Sequence, residues 1–120
     1  LKATEIGNGT EIFIPKLKSY SLEQIYKVLS QLAETKNEKI IGIRPGEKLH
    51  ELLINFDEMR YSWEFENLYM ILNWQYNDNY LNTNYPGIKK FDSTETYSSN
   101  NTEPLTDDEL KNNISNLGLL

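Results

Sequence analysis

The sequence predicts an α/β fold, because a short strand, an amphipathic helix and a second short strand follow one another in its first half. The first strand is predicted at Glu11 to Ile14, a β-branched and aromatic run that Pro15 closes. The second is predicted at Ile40 to Ile43, an apolar run that stops at Arg44-Pro45-Gly46-Glu47. Two strands joined by a helical connection of this length are typically parallel, with a right-handed crossover. We therefore expect a small sheet with a helix crossover.

The helix between these strands has the clearest start signal in the chain. Ser21 is suited to the N-cap, and Gln24 three residues later completes a capping box. The residues that follow place apolar side chains at helical spacing over about three turns; they are Leu22, Ile25, Tyr26, Leu29 and Leu32. The pattern predicts an amphipathic helix that packs on a flat surface.

The second half is less regular. The apolar residues from Leu49 to Ile54 fit a strand or a short helix equally well, whereas residues 61–72 alternate in a way that favours extended chain. Residues 73–104 are rich in Asn, Tyr, Ser and Thr, which predicts a long irregular excursion. The sequence thus divides into an α/β portion at 1–72, this excursion, and a terminal segment at 105–120.

The terminal segment predicts a short docked helix. Thr106 and Glu109 have the spacing of a second capping box. Leu110, Ile114 and Leu117 then fall on one helical face.

Composition limits the classes of function. The 120 residues include 12 Lys and Arg against 18 Asp and Glu, a net charge of −6, and this balance argues against binding to nucleic acid or to an anionic membrane surface. The chain has no Cys and one His, so no soft-ligand metal cluster is expected. Only 38% of the residues are hydrophobic, a thin core for a free-standing enzyme. Leu1 at the start suggests a piece of a larger protein, and the absence of a long apolar run predicts a soluble, cytoplasmic one.

The candidate site is the segment from Ile40 to Glu51. Ligands of parallel α/β sheets bind beyond the carboxyl ends of strands, which is where Arg44 would lie. Its planar guanidinium suits a phosphate, and a Pro-Gly turn would return Glu47 to the same side, where its carboxylate could accept hydrogen bonds from ribose hydroxyls. A surface turn with a solvated ion pair explains the same spacing, and spacing alone favours that alternative.

Four blocks of sequence resemble one enzyme family. They are Gly9 to Ile25, Ile40 to Ile54, Met59 to Ile71 and Tyr97 to Leu110. Together they are similar to the C-terminal region of the UDP-N-acetylglucosamine 4,6-dehydratases (inverting) and related polysaccharide-biosynthesis nucleotide-sugar dehydratases and epimerases, in the extended short-chain dehydrogenase/reductase superfamily. The resemblance implies that Arg44 contacts the UDP diphosphate and that Glu47 contacts the uridine ribose.

The resemblance also implies what a whole enzyme of this kind needs. The family's reaction uses NADP, a glycine-rich dinucleotide turn and a Tyr/Lys pair. This sequence has no such turn, and its one Tyr-x-x-x-Lys spacing, Tyr85 and Lys89, contains Pro86-Gly87 and is interpreted as coincidence. We therefore expect NADP to be held by an N-terminal Rossmann domain absent from this chain, and the fragment to be inactive alone. A homo-oligomeric parent enzyme is also expected.

Other candidates have plainer explanations. Lys48 and His50 are weaker substrate-binding candidates, since a solvated Lys and a structural His are common. The acidic run Asp107-Asp108-Glu109 complements a helix dipole rather than a metal. The absence of basic residues from 61 to 88 argues against base stacking by six aromatic residues, which are interpreted as core or subunit contacts; they are Trp63, Phe65, Tyr69, Trp74, Tyr76 and Tyr80.

The sequence-level hypothesis is therefore the UDP-sugar-binding portion of an NADP-dependent dehydratase. Two alternatives stay open: a UDP-N-acetylhexosamine epimerase of the same family, and a non-catalytic acidic interaction module. No catalytic residue is assigned within this chain.

Overall fold

The computed structural model describes residues 2–34, 37, 39–92 and 95–118. Helices and strands both occur, which confirms the predicted α/β class. In chain order the elements are α1 (Lys2–Ile6), β1 (Ile12–Pro15), α2 (Leu22–Ala33), β2 (Leu52–Ile54), α3 (Phe56–Met59), β3 (Ser62–Phe65), β4 (Leu68–Ile71), α4 (Asp78–Asn84), β5 (Lys89–Lys90), β6 (Tyr97–Ser98) and α5 (Asp107–Asn116). They form two compact units: unit 1 is Leu1–Leu17 with Leu52–Ser98, and unit 2 is Lys18–Glu51 with Ser99–Leu120.

Unit 1 is built on a four-stranded antiparallel sheet with the strand order β1-β4-β3-β5. Strands β3 and β4 form a hairpin in which Phe65 pairs with Leu68, so that Glu66 and Asn67 make the turn. Glu66 has a positive φ of 53°, the left-handed conformation that such a tight turn requires. The extended prediction for residues 61–72 is confirmed.

The predicted parallel pairing is wrong. Strand β1 lies antiparallel to β4, with Ile12 opposite Ile71, and the stretch Ile40–Ile43 is not a strand. Local pairing explains the difference, because the β3–β4 hairpin supplies β1 with a partner inside its own unit. Ile40 is 91% exposed. Strand propensity at 40–43 is therefore not matched by a neighbouring strand in the described part of the chain.

The two faces of this sheet pack into separate apolar clusters, because side chains alternate along a strand. Met70 faces a cluster in which it is buried together with Phe65, Leu72, Leu81 and Tyr85. Its neighbours Tyr69 and Ile71 face the opposite cluster, whose buried members are Ile14, Ile54, Met59 and Tyr97. The sheet of unit 1 thus packs against apolar side chains on both faces.

Residues 73–104 are more regular than the predicted irregular excursion. They include α4, β5 and β6, and they supply Leu81, Tyr85 and Tyr97 to the two clusters. In the ambiguous run from Leu49 to Ile54, only Leu52–Ile54 forms a strand, β2, which pairs with β6. This regularity was not predicted, because residues 73–104 reach the core through tyrosines and one leucine rather than through a periodic pattern of aliphatic residues. The boundaries proposed at residues 72 and 104 stay a prediction.

Unit 2 packs α2 against α5. Val28 is 1% exposed and lies in a cluster with Leu110 and Ile114. The Ser21 cap is confirmed, since its hydroxyl accepts a hydrogen bond from the Gln24 backbone N–H at 3.0 Å. The reciprocal half of the box is replaced, because the Gln24 side chain donates instead to the Leu105 carbonyl and to Asp107.

The start of α5 follows the prediction. Thr106 and Glu109 form the full capping box. Leu110 and Ile114 are buried, but Leu117 is 68% exposed, so its predicted place on the packed face is wrong. Leu117 is the C-cap residue, one position beyond the last residue of the helix. Among the described residues, none of the helices has the length and apolar content needed to cross a membrane.

Candidate functional site

The Arg44–Glu47 turn has the conformation that its Pro-Gly pair predicts. The Glu47 backbone N–H donates to the Arg44 carbonyl at 3.0 Å. Gly46 has a φ of +87°, as the third position of a type II turn requires. A side-chain Cβ added to Gly46 would meet nothing within 4 Å, so its backbone is open to a ligand.

The Glu47 carboxylate closes the same turn from the other side. Its Oε2 accepts a hydrogen bond from the Arg44 backbone N–H at 2.8 Å. Its Oε1 lies 3.9 Å from the Arg44 Nε, the outer limit of an ion pair. The Arg44 side chain is 68% exposed, so this contact is weak and the guanidinium can be recruited by an anion. The two side chains therefore lie together, and their role as ligand contacts stays a prediction.

An open groove of about 700 Å³ lies beside this turn, within unit 2. That volume falls in the range of roughly 300–1,000 Å³ that is typical of ligand pockets. One wall is the N-terminal part of α2, and the other is the segment from residue 39 to residue 49 that contains the turn. The lining residues include Leu22, Tyr26, Ile41, Ile43, Glu47 and Lys48.

Leu22 and Tyr26 are groove residues that the sequence prediction assigned to the packed face of a helix. The apolar arc of α2 in fact divides in two. Ile25, Val28 and Leu32 pack in the cluster of unit 2, whereas Leu22 is 84% exposed and Tyr26 lines the groove. The sequence did contain an indication of this division, because the apolar face of α2 is wider than a single packing surface requires.

The weaker candidates differ in position. Lys48 is exposed and lines the groove. His50 is also exposed, and the groove residues among the described part of the chain do not include it. Glu51 anchors the end of the segment, because its backbone N–H donates to the Ser99 Oγ at 2.9 Å and its carbonyl accepts from the Ser99 N–H. The groove side of the segment thus runs from 39 to 49.

The glycine-containing loop before β1 does not fit a dinucleotide. Gly7 and Gly9 have the spacing of the first two glycines of such a turn, but Ile12 stands where the third would be, and a strand follows rather than a helix. The backbone N–H groups of Asn8, Gly9 and Thr10 converge on the Glu11 carboxylate at 2.9–3.0 Å. The donors that a pyrophosphate would need are already used by a side chain of the same loop.

Tyr85 is a buried residue of the core. Its ring is fully buried, and its hydroxyl donates to Glu11 and accepts from the Asn8 amide. Burial and the hydrogen bond to Glu11 raise the pKa of Tyr85. Lys89 is exposed on β5, so the Tyr-x-x-x-Lys spacing does not form a proton-transfer pair on one helical face.

The acidic run at the start of α5 is engaged by lysines of unit 2. Asp107 pairs with Lys27, and the hydrogen bond from Lys27 lowers its pKa. Glu109 accepts from Lys18 at 2.8 Å, and this bond together with the Thr106 backbone lowers the pKa of Glu109 to about 2. In the described ranges no three His, Cys, Asp or Glu side chains come together as a metal site requires.

Comparison with known proteins identifies the class. A family model described as "Polysaccharide biosynthesis protein" matches residues 1–73. The chain belongs to this family, which comprises nucleotide-sugar dehydratases and epimerases of the extended short-chain dehydrogenase/reductase superfamily.

Individual relatives carry two different names. The chain is 48% identical over 64 residues to the UDP-N-acetylglucosamine 4,6-dehydratase (inverting) of Campylobacter jejuni serotype O:23/36, a match that covers 53% of this chain and 18% of the relative. It is 34% identical over 118 residues to a UDP-glucose 4-epimerase of Rickettsia bellii, covering 98% of this chain and 35% of the relative. The structure of Pen from Bacillus thuringiensis superposes with a TM-score of 0.78 at 28% identity, over 99% of this chain and 35% of Pen. The chain thus spans about a third or less of these relatives.

Proposed function

We propose that this chain is the C-terminal, UDP-sugar-binding part of an NADP-dependent UDP-N-acetylglucosamine 4,6-dehydratase of surface-polysaccharide or nonulosonic-acid biosynthesis. The observation that carries the proposal is the Arg44–Glu47 turn, which offers a guanidinium, a carboxylate and an open glycine backbone beside a groove of nucleotide size. The dehydratase relative, at 48% identity, supports the choice of reaction.

The proposed binding mode follows from the groups present. The Arg44 fork suits two oxygens of a diphosphate, and its present partner at 3.9 Å is easily displaced. Glu47 retains Oε1 for ribose hydroxyls while Oε2 stays on the Arg44 N–H. The Tyr26 ring and the Leu22 side chain give the groove an apolar wall suited to a base or a sugar face.

The cofactor and the proton-transfer groups belong to other residues of the parent enzyme in this proposal. NADP supplies hydride transfer in this family, and the loop at residues 7–11 does not fit its pyrophosphate. The exposed isoleucines of the 40–43 segment, with Ile41 59% and Ile43 63% exposed, suit a contact with the N-terminal Rossmann domain. On this proposal the chain is inactive by itself, and the parent enzyme is a cytoplasmic homo-oligomer.

A second candidate is an epimerase of the same family. The relative named UDP-glucose 4-epimerase aligns with 98% of the chain, whereas the dehydratase aligns with 53%. Product analysis separates the two candidates. The enzyme that contains this chain, incubated with UDP-N-acetylglucosamine and followed by NMR, is expected to form a 4-keto-6-deoxy sugar. Formation of only a 4- or 5-epimer would replace the dehydratase by the epimerase.

The site itself is tested separately. Arg44→Ala in the same enzyme is expected to weaken UDP-sugar binding by about 2–5 kcal/mol, the range for truncating one partner of a buried charge-assisted contact. Arg60→Ala is the matched control, since Arg60 lies over the Phe56 ring in unit 1. Equal affinities of the Arg44 variant and the wild type would remove the turn from the binding site.

A further inference from the structure

Trp74 is an exposed indole held in a fixed turn of unit 1. The turn follows β4, and it is closed by the Tyr76 N–H, which donates to the Asn73 carbonyl at 3.1 Å. The Asn73 side chain fixes it further, because its Oδ1 accepts from the Gln75 N–H at 3.0 Å. The Trp74 side chain nevertheless remains 74% exposed. The local structure therefore presents a large apolar ring to solvent in a defined place.

The indole forms one wall of a groove of about 280 Å³, which we name the Trp74 groove. Its walls include Thr10, Ile12, Tyr61, Ile71, Asn73 and Trp74. Tyr61 is placed there by its carbonyl, which accepts from the Leu72 N–H at 3.0 Å, and its ring is 43% exposed. The groove is smaller than the pockets of roughly 300–1,000 Å³ that hold drug-sized ligands, so it suits a single ring.

The rim of the Trp74 groove carries neutral hydrogen-bonding groups. The Thr10 hydroxyl lines the groove, and it lies 2.6 Å from the hydroxyl of Tyr76, a residue outside the named walls. Tyr76 stacks on Tyr80 with centroids 4.2 Å apart, so the contact fixes the position of the Thr10 hydroxyl. Asn73 is exposed and lines the same groove. Hydroxyl groups can donate or accept, and an amide offers both functions.

Charge narrows the ligand class. The named walls of the Trp74 groove are uncharged, in a chain of which 25% of the residues are charged. A phosphate would need a cation there. An adjoining groove of about 200 Å³ shares Tyr61, Asn73 and Trp74 with this one and does include Arg60, which is not a wall of the Trp74 groove. A fitting ligand has one apolar face for the indole and uncharged hydroxyls at its edge.

We propose that the Trp74 groove binds a neutral sugar ring, with a C–H face of the pyranose against the Trp74 indole and its hydroxyls on Thr10 and Asn73. This site is separate in residues and in charge from the Arg44–Glu47 turn. It does not depend on the proposed function. The binding is expected to be weak for a monosaccharide, with a Kd of about 1–10 mM, because one stacked ring and a few neutral hydrogen bonds supply it.

The chain has two tryptophans, which makes a direct test available. In a ¹H–¹⁵N spectrum of the 120-residue chain, Trp63→Phe identifies the Trp74 indole N–H signal. Titration with N-acetylglucosamine is expected to shift this signal saturably, and glycerol at the same hydroxyl concentration is expected to leave it in place. Trp74→Ala should abolish saturation transfer from the protein to the sugar, while well-dispersed backbone amide signals show that the variant is folded.

Three outcomes would overturn the proposal. The first is a Trp74 signal that does not move at sugar concentrations of about ten times the expected Kd. The second is an equal response to glycerol. The third is a Trp74 signal that moves on dilution of the sugar-free protein, together with a change in its diffusion coefficient, since that result assigns the face to contact between copies of the chain.

Discussion

Tyr85→Phe removes one buried oxygen atom, and we expect it to lower the free energy of unfolding by about 1.5–2 kcal/mol. The Tyr85 ring is fully buried and contacts Phe65 edge to face at 5.8 Å, which the Phe variant retains. What is lost is the hydroxyl that donates to Glu11 and accepts from the Asn8 amide at 3.2 Å.

The magnitude follows from those partners. A hydrogen bond to a charged group contributes about 1.5–3 kcal/mol net. The low end applies because Glu11 is only half-buried and keeps its backbone donors, so water can replace the phenol. Urea unfolding followed by circular dichroism gives the difference, and the Tm should fall by about 5–10 °C. Tyr61→Phe is the control, because its ring is 43% exposed.

The pH dependence gives a second check on the same contact. Burial opposes ionisation of Glu11, but hydrogen bonds from Tyr85 and from backbone amides outweigh it and lower its pKa below the ordinary 4.5. Because the pKa of Glu11 is lower in the folded state than in the unfolded state, the carboxylate stabilises the fold at pH values above its unfolded pKa. That contribution is lost as the pH falls through the folded pKa. The difference in the free energy of unfolding between wild type and Glu11→Gln should therefore narrow in acid.

For the Tyr85→Phe variant, a free energy of unfolding within about 0.5 kcal/mol of wild type at pH 7 would refute the reasoning.

The remaining predictions concern unit 2. Leu110→Ala should lower the free energy of unfolding by about 2–5 kcal/mol, because Leu110 is 3% exposed and packs beside Val28. Leu117→Ala is the control, since Leu117 is 68% exposed and its loss should change the free energy by less than about 0.5 kcal/mol. Equal effects of the two variants in urea unfolding would contradict the packing of α5 on α2. The carboxyl of Glu109 should titrate near pH 2 by NMR, and Lys18→Met should raise its pKa toward 4.5. The Lys18–Glu109 pair stabilises the fold at pH values above the unfolded pKa of Glu109, and this contribution is lost as the pH falls toward 2. A Glu109 pKa that Lys18→Met leaves unchanged would show that this contact is absent in solution.

Local signals made the starts of α2 and α5 predictable from sequence. Ser21 and Thr106 are capping residues whose partners lie three positions along, so the information is contained in a few residues. The alternating side chains of residues 61–72 likewise predicted extended chain, although not the hairpin that β3 and β4 form. In each case the energetic cause is local, and the structure agrees.

Pairing between distant segments was not predictable in the same way. The stretch Ile40–Ile43 has strand composition, but composition does not say which strand lies beside it, and β1 is paired with β4 instead. Tyr85 and Tyr97 are core residues whose burial depends on partners more than 70 positions away, namely Glu11 and Leu17. An Asn- and Tyr-rich composition concealed them.

The candidate site was predicted in part. The turn chemistry of Pro45-Gly46 placed Arg44 and Glu47 together, because the preferred backbone angles of those two residues specify the turn. The groove beside the turn needed tertiary structure, since Leu22 and Tyr26 come from a helix about twenty positions earlier and share its apolar arc with true core residues.

The most direct test of the proposed diphosphate contact compares UDP with uridine by calorimetry on the enzyme that contains this chain. Arg44→Ala should weaken UDP binding at least about 30-fold, corresponding to 2 kcal/mol, and leave uridine binding within about twofold. Arg44→Lys should recover part of the loss, because it restores the charge without the planar fork. An Arg44→Ala variant that binds UDP as tightly as wild type, or that loses UDP and uridine equally, would contradict the account.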